Sequence, residues 1–250
     1  MSLRSQLRDF LEPIRHSGQF DVKTAISKGR VVTRTVAGKN VSWLITNAGD
    51  EIQCQQVRLG YYELNELEQL LKDVGPRQNI LDVGANIGNH SVFFINHMDC
   101  SNLIAVEPFG AAVTHLLANL SLNYPKSLSF RLICGAFDES GGRGSIVPPT
   151  RFNIGLTRVE VGEGDVTVFK GDEEMGASRV DLIKIDVEGM ETRVLKGLIQ
   201  SISAHRSALY IETSDDSVTD VLAILRPFQY RVVREMRAYE SQLNLTLLPC

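Results

Sequence analysis

Apolar and polar positions along the chain repeat with two different periods, and the switches between them mark out the elements. Asn79-Ile80-Leu81-Asp82-Val83 is a short apolar run that ends in the glycine turn Gly84-Ala85-Asn86-Ile87-Gly88. Ser91, Phe94, Ile95 and Met98 then recur at helical spacing. The pattern predicts a buried strand, a tight turn and a helix start, with the turn at the carboxyl edge of a sheet, where open α/β folds bind ligands. Further strands are expected at Leu103–Glu107, Leu128–Cys134, Val180–Asp186 and Ala208–Thr213. Helices are expected at His115–Leu122, Met190–Ile199 and Val218–Leu225. Strand alternating with helix means a mostly parallel sheet covered on both faces. Phe228–Arg237 and Ser241–Leu248 read as an antiparallel pair that closes a seven-stranded sheet.

Two stretches depart from this rhythm. Ahead of the sheet, Ser2–Ile14 has the pattern of a short amphipathic helix. Arg30–Arg58 alternates around Ala37-Gly38 and Asn47-Ala48-Gly49 as hairpin strands do. Tyr61–Val74 predicts a helix with Leu64, Leu67, Leu70 and Leu71 on one face, stopped by Gly75-Pro76. Residues 1–59 are therefore expected to form a helix and hairpin extension, and residues 60–250 the main domain. The second departure is Glu139–Ala177, where Gly141-Gly142-Arg143-Gly144 and Pro148-Pro149 are turn and loop chemistry and only Arg158–Val161 and Val166–Phe169 look like short strands. An excursion of this length is expected to overhang the ligand edge, with Asn153 facing the site.

The wording of the glycine turn discriminates between ligands. A dinucleotide fingerprint needs G-x-G-x-x-G so that the backbone can approach a pyrophosphate, and here Asn86 and Asn89 occupy the second and third glycine positions. No Lys or Arg occurs from Asn79 to Met98, so Asp82 suits a cationic ligand better than a phosphate. S-adenosylmethionine, with an ammonium, a sulfonium and no phosphate, fits that charge pattern. Glu107 closes the next strand at close to the interval of roughly 20 residues at which a ribose-binding acid follows such a turn, and its two oxygens can accept both ribose hydroxyls. In Val180–Gly189, strand alternation puts Leu182, Lys184 and Asp186 on one face with Glu188 just beyond. Glu188 and Glu191 would also favour a helix N-terminus without any chemistry.

LDVGANIGNH, VEPF, Asn153-Ile154-Gly155 and DLIKIDVEGMETRVLKG, in this order and spacing, resemble the FkbM family of S-adenosylmethionine-dependent methyltransferases. The likeness covers roughly Gly60 to Thr213, and DVGANIG and IKIDVEGME are its most specific parts. It implies a Rossmann-like class I methyltransferase fold. It also implies that Asp82, Gly84, Asn86 and Gly88 line the methionine part of the cofactor, that Glu107 holds the ribose, and that Ala136, Phe137 and Asp138 lie near the adenine. Lys184, Asp186, Glu188 and Gly189 would stand next to the transferred methyl. Members of the family methylate hydroxyls of sugars and secondary metabolites, which implies O-methylation of a small-molecule acceptor. Asp186 or Glu188, with a pKa raised by burial, is the expected base. His90, in the first turn after the glycine loop, is a further candidate for that role. Tyr62 and Glu63, at the start of the preceding helix, are expected to contact the acceptor together with Asn153.

Composition changes this picture little. Of 250 residues, 43% are hydrophobic and 22% charged, as in an ordinary globule able to bury a full core. A net charge of −4 gives no basic footprint, so no nucleic-acid partner is expected. Cys54, Cys100, Cys134 and Cys250 are scattered, without disulfide or zinc spacing. No H-x-x-x-H or comparable ligand spacing indicates a metal, although Asp186 and Glu188 could offer oxygen to a hard cation such as Mg²⁺. Without a signal-peptide core or a run of about 18 apolar residues, no membrane span and a cytoplasmic location are expected. The alternatives on the same fold are an NAD-dependent oxidoreductase, against which the broken fingerprint counts, and a catalytically silent cofactor-binding scaffold.

Overall fold

The computed structural model describes residues 20–125, 127–147, 157–239 and 241–250, and the expected Ser2–Ile14 helix and Asn153 lie outside them. Helix α1 (Val22–Lys28) leads into the antiparallel hairpin β1 (Arg30–Val36) and β2 (Lys39–Ile45). Ala37 and Gly38, at φ 46° and 77°, form its turn, the positive-φ pair that a tight two-residue hairpin requires. The second expected hairpin turn is something else. The Asn47 side chain accepts from Gly49 N at 3.0 Å, and Asp50 then caps helix α2 (Glu51–Leu59) by accepting from Gln53 N at 3.0 Å. The Arg30–Arg58 expectation is thus corrected in its second half. A carboxylate placed to satisfy an orphan N–H starts a helix there, and the buried residues Ile52, Gln53 and Gln56 lie on one side of it. Helix α3 (Leu64–Val74) begins three residues later than expected, after a turn in which Glu63 takes φ 54°.

The main sheet follows in alternation with helices. Its first strands and helices are β3 (Asn79–Val83), α4 (Asn89–His97), β4 (Asn102–Val106), α5 (Gly110–Asn123) and β5 (Ser129–Ile133). The excursion then supplies β6 (Ala136–Asp138), β7 (Gly142–Val147), β8 (Arg158–Val161), β9 (Val166–Lys170) and α6 (Gly171–Met175). The chain returns through β10 (Leu182–Ile185), α7 (Glu191–Gly197), α8 (Ile199–His205), β11 (Ala208–Ser214) and α9 (Val218–Leu225), and closes with β12 (Tyr230–Tyr239) and β13 (Gln242–Pro249). The seven strands lie in the order β5-β4-β3-β10-β11-β13-β12. The first five are parallel, and β13 runs antiparallel to both its neighbours. The order reverses between β3 and β10, the switch point at which a crevice opens outside the strand ends. The fold is the expected Rossmann-like α/β sheet.

The excursion is more ordered than its glycines suggest. β6, β9, β7 and β8 form a second, four-stranded sheet in that order, so the stretch from Gly142, read as turn chemistry, is a strand. Gly144 lets two backbones meet, since a side chain there would come within 2.8 Å of the Glu160 carbonyl. This sheet is fastened to the main body by Asp138, whose carboxylate accepts from Arg193 Nε at 2.7 Å and Nη2 at 2.8 Å. Burial alone would raise the Asp138 carboxyl, but hydrogen bonds from Arg193, the Glu139 backbone and Ser140, with the Arg193 charge, together outweigh it and hold it at about 2.

Two apolar clusters cover the two faces of the main sheet. One joins Leu81, Val83, Ile183, Ile185 and Leu209 to Val194, Leu195 and Ile202 of α7 and α8. The other joins Ile80, Leu103 and Leu182 to Leu67, Phe93, Phe94 and Leu116, and it also contains Val41, Trp43 and Leu44 of β2. The hairpin is therefore part of the main core. Trp43 is fully buried, its indole N–H donates to the Gly60 carbonyl at 2.6 Å, and its ring meets Tyr61 edge-on at 5.5 Å. Trp43→Ala is expected to remove about 3–5 kcal/mol of stability, measurable by urea unfolding; a loss below 1 kcal/mol would mean that the hairpin docks without stabilising the sheet.

Candidate active site

Three parallel strands bring carboxylates to one edge: β4 and β10 run directly into Glu107 and Asp186, and β11 carries Glu212 near its end. A cavity of about 600 Å³ opens there, a size typical of small-molecule sites. One side is formed by Gly84 and Asn86 of the glycine loop, by Glu107, Pro108 and Phe109 after β4, and by Ala136 and Phe137 of β6. The other side is formed by Asp186, Val187 and Glu188 after β10 and by Glu212 of β11. The mouth is bounded by Glu51 and Ile52 of α2, Tyr62, Thr157 and Val159 of the excursion, and Ser241 and Gln242 at the turn into β13.

The loops are held together by groups that also face the cavity. Glu107 Oε2 accepts from Asn86 N and Oε1 from Phe109 N, both at 2.8 Å. Burial nonetheless pushes its carboxyl up to about 7. Gly84, at φ 76°, packs so closely on the next loop that a Cβ would sit 1.7 Å from the Asp186 carbonyl oxygen. No other residue fits that contact. The Asn86 side-chain oxygen is buried without a hydrogen-bond partner.

The acidic side is crowded. Asp186, Glu188 and Glu212 can each present a carboxylate oxygen within 4.8 Å of the others. Burial, then the Asp186 and Glu191 charges, raise Glu188 to about 7. Burial, then Asp186 and Glu63, raise Glu212 to about 10. Glu63, close behind them, is raised to about 8 by burial and by Asp186. Lys184 is the cation of this region, 2% exposed, with Nζ 3.2 Å from Asp82, 3.1 Å from Asp186 and 2.7 Å from the Gly84 carbonyl oxygen. Burial would push the ammonium down, but the two carboxylates hold it above its ordinary value.

Several expected residues stand elsewhere. Asp82 is fully buried beneath the cavity, where it accepts from Ser91 Oγ at 2.6 Å and pairs with Lys184. Its parity in β3 turns it into the face covered by α4, and its counter-ion comes from the adjacent strand, where Lys184 is its register partner. Gly88 starts α4 at φ 87° and admits Leu116, which a Cβ would meet at 2.7 Å. Lys184 lies under the cavity wall, and Asp138 is committed to Arg193. His90 is buried off the cavity with Nε2 3.7 Å from Glu63. Since burial lowers the imidazole well below its usual range and raises Glu63, the two meet as neutral groups. Tyr62 lines the cavity and Glu63 sits behind it. Glu212 escaped the sequence reading; it lies two residues inside the end of β11, whereas Glu107 directly follows β4.

The profile of the methyltransferase FkbM domain matches residues 82–232. The chain belongs to the FkbM methyltransferase family. It is 25% identical over 202 residues to methyltransferase sdnD of Sordaria araneosa, covering 62% of this chain and 77% of that protein. The FkbM methyltransferase structure from Methylobacillus flagellatus KT is 18% identical, with a TM-score of 0.43, covering 67% of this chain; the chain spans 43% of its length. A proposed tRNA (m1A22) methyltransferase of Streptococcus pneumoniae, in complex with S-adenosyl-L-methionine, is 14% identical with a TM-score of 0.48, covering 74% and 72% of the two chains. S-adenosylmethionine is the cofactor of this FkbM domain. No helix among the described residues is long and apolar enough to cross a membrane.

The raised carboxyls make a testable statement about stability. Glu63 and Glu212 ionise at their ordinary values when unfolded and only near 8 and 10 when folded. Their contribution is full below about 4.5 and is lost as pH rises through those values. The protein without ligand is expected to melt lower at pH 8.5 than at pH 5.5. Glu212→Gln should flatten this dependence and raise Tm at pH 8.5 by at least about 2–4 °C; scanning calorimetry showing equal slopes would contradict it.

Proposed function

We propose that this FkbM domain transfers the methyl group of S-adenosylmethionine to a hydroxyl of a small molecule. The observation that carries the reading is that one continuous cavity joins a ribose-competent acid, Glu107, to the Asp186, Glu188 and Glu212 carboxylates. Each Glu107 oxygen uses one lone pair on a backbone N–H and keeps another for a ribose hydroxyl. Ala136, Phe137 and Phe109 offer apolar surface to the adenine, and the unpartnered Asn86 oxygen fits the donor ammonium. The residues present therefore suit the cofactor.

The bound cofactor supplies an electrophilic methyl carbon. What remains for the protein is to align an acceptor oxygen with it and to take the acceptor proton. Alignment is a positional effect worth up to several kcal/mol. Glu188, raised to about 7 and lining the cavity, is suited to hold that proton near neutral pH. All the charged residues of the wall are acids, namely Glu51, Glu107, Asp186, Glu188 and Glu212. That wall favours neutral or cationic acceptors over phosphates, and the recognition surface falls to Glu51, Ile52, Tyr62, Thr157, Ser241 and Gln242.

Calorimetric titration is expected to show binding of S-adenosylmethionine and none of NADH, and Glu107→Gln should weaken it by about 1.5–3 kcal/mol. Absence of heat with S-adenosylmethionine would reject the reading. Glu188 sits at φ 52°, a conformation that costs a non-glycine residue about 1 kcal/mol or more and that Asn tolerates better. Glu188→Asn should therefore raise Tm while lowering kcat about 10²- to 10⁴-fold. Wild-type turnover should rise with pH through about 7, as Glu188 loses its proton. Full activity of Glu188→Asn on an acceptor used by the wild type would remove Glu188 from the proton transfer.

A further inference from the structure

Lys184 touches three groups, one inside strand β3 and one in each of two different loops. Its position in β10 is directly opposite Asp82 in β3 and Tyr210 in β11. From there Nζ reaches Asp82, the carbonyl of Gly84 and the carboxylate of Asp186. A lysine in an otherwise apolar central strand is expected only if its charge is met, and here it is met by ion pairs with Asp82 and Asp186 and by a hydrogen bond to the Gly84 carbonyl. Asp82 sits underneath as counter-ion, while Gly84 and Asp186 both line the cavity. The two loops already meet at the Gly84 and Asp186 backbones, where no Cβ fits. Asp186 N also donates to the Val83 carbonyl at 3.1 Å. One buried cation thus pins the glycine loop and the acidic loop in a single mutual position.

We infer that Lys184 is a positioning residue for the methyl donor: it fixes the Gly84 turn and the Asp186 carboxylate relative to each other, so that the cofactor meets a preformed surface. The inference rests on the S-adenosylmethionine reading of the cavity. Mere neutralisation of Asp82 is the competing role, and it makes a different prediction. If Lys184 only balances a buried carboxylate, removing both charges together restores everything. If it positions the loops, removing both restores the fold and not the binding.

The experiment compares the full-length wild type with D82N, K184M, D82N/K184M and D82N/K184Q, by thermal melting and by calorimetric titration with S-adenosylmethionine. K184M alone leaves buried acids without their cation and is expected to melt well below the wild type or not to fold. D82N/K184M should recover cooperative melting yet bind S-adenosylmethionine about tenfold or more weaker than D82N, the loss expected when the charge-assisted hydrogen bond to Gly84 and the ion pair with Asp186 disappear. Should D82N/K184M fail to fold, D82N/K184Q, whose amide can still donate to the Gly84 carbonyl but carries no charge for Asp186, takes its place with the same expectation. Equal affinity of D82N and the folded double variant overturns the inference. A wild type that gives no heat with S-adenosylmethionine overturns the cofactor reading instead, so the two failures are distinguishable.

Discussion

Charge burial at the carboxyl ends of parallel strands is the constraint around which this molecule is arranged. Asp82, Lys184 and Asp186 are brought together by the register of β3 and β10, and neither Asp82 nor Lys184 has water to fall back on. A buried ion network of this kind is weak evidence for stability, because desolvation consumes much of the attraction. Its value lies in geometry. With one cation shared between two loops, the glycine turn and the Asp186 carboxylate cannot drift apart without leaving a charge unmatched.

From that anchor the rest of the site follows outward. Glu107 ties the glycine loop to the segment after β4, so three successive strand ends are coupled through side chains before any ligand arrives. Glu188 and Glu212 then make no salt bridge among the described residues, and burial keeps Glu188 partly and Glu212 almost wholly protonated near neutral pH. Carboxyls on one wall thus differ in protonation although they are chemically alike. Such a spread lets one of them accept a proton while another donates a hydrogen bond.

The strand-turn-helix at Asn79–His90, the helix Val218–Leu225 and the closing hairpin were legible because their periods are strong and uninterrupted. The FkbM motifs fall on the loops that line the cavity. What escaped were features decided by partners distant in sequence. Asp82 looked free to face a ligand because its counter-ion is contributed by Lys184, a hundred positions later. That lysine, set among Leu182, Ile183 and Ile185, itself signalled that a buried acid had to lie nearby. The second sheet was hidden by glycines that serve close backbone approach, as at Gly144. Helix α2 was hidden because Asn47-Ala48-Gly49 closes on the Asp50 cap. Glu212 lies two residues inside the end of β11, so looking for acids that close strands, as with Glu107, passes over it.

Ser241 and Gln242 reach the cavity from the turn between β12 and β13. That hairpin occupies the far end of the sheet, on the opposite side of β10 and β11 from the glycine loop. The chain can therefore be lengthened, shortened or recoloured at this turn without disturbing the strands that hold Glu107, Gly84 or Lys184. Loop lengths are cheap to vary and sheet interiors are not. The architecture separates a half fixed by the parallel strands from an adaptable rim, and the final hairpin is the natural place for one scaffold to acquire a new clientele.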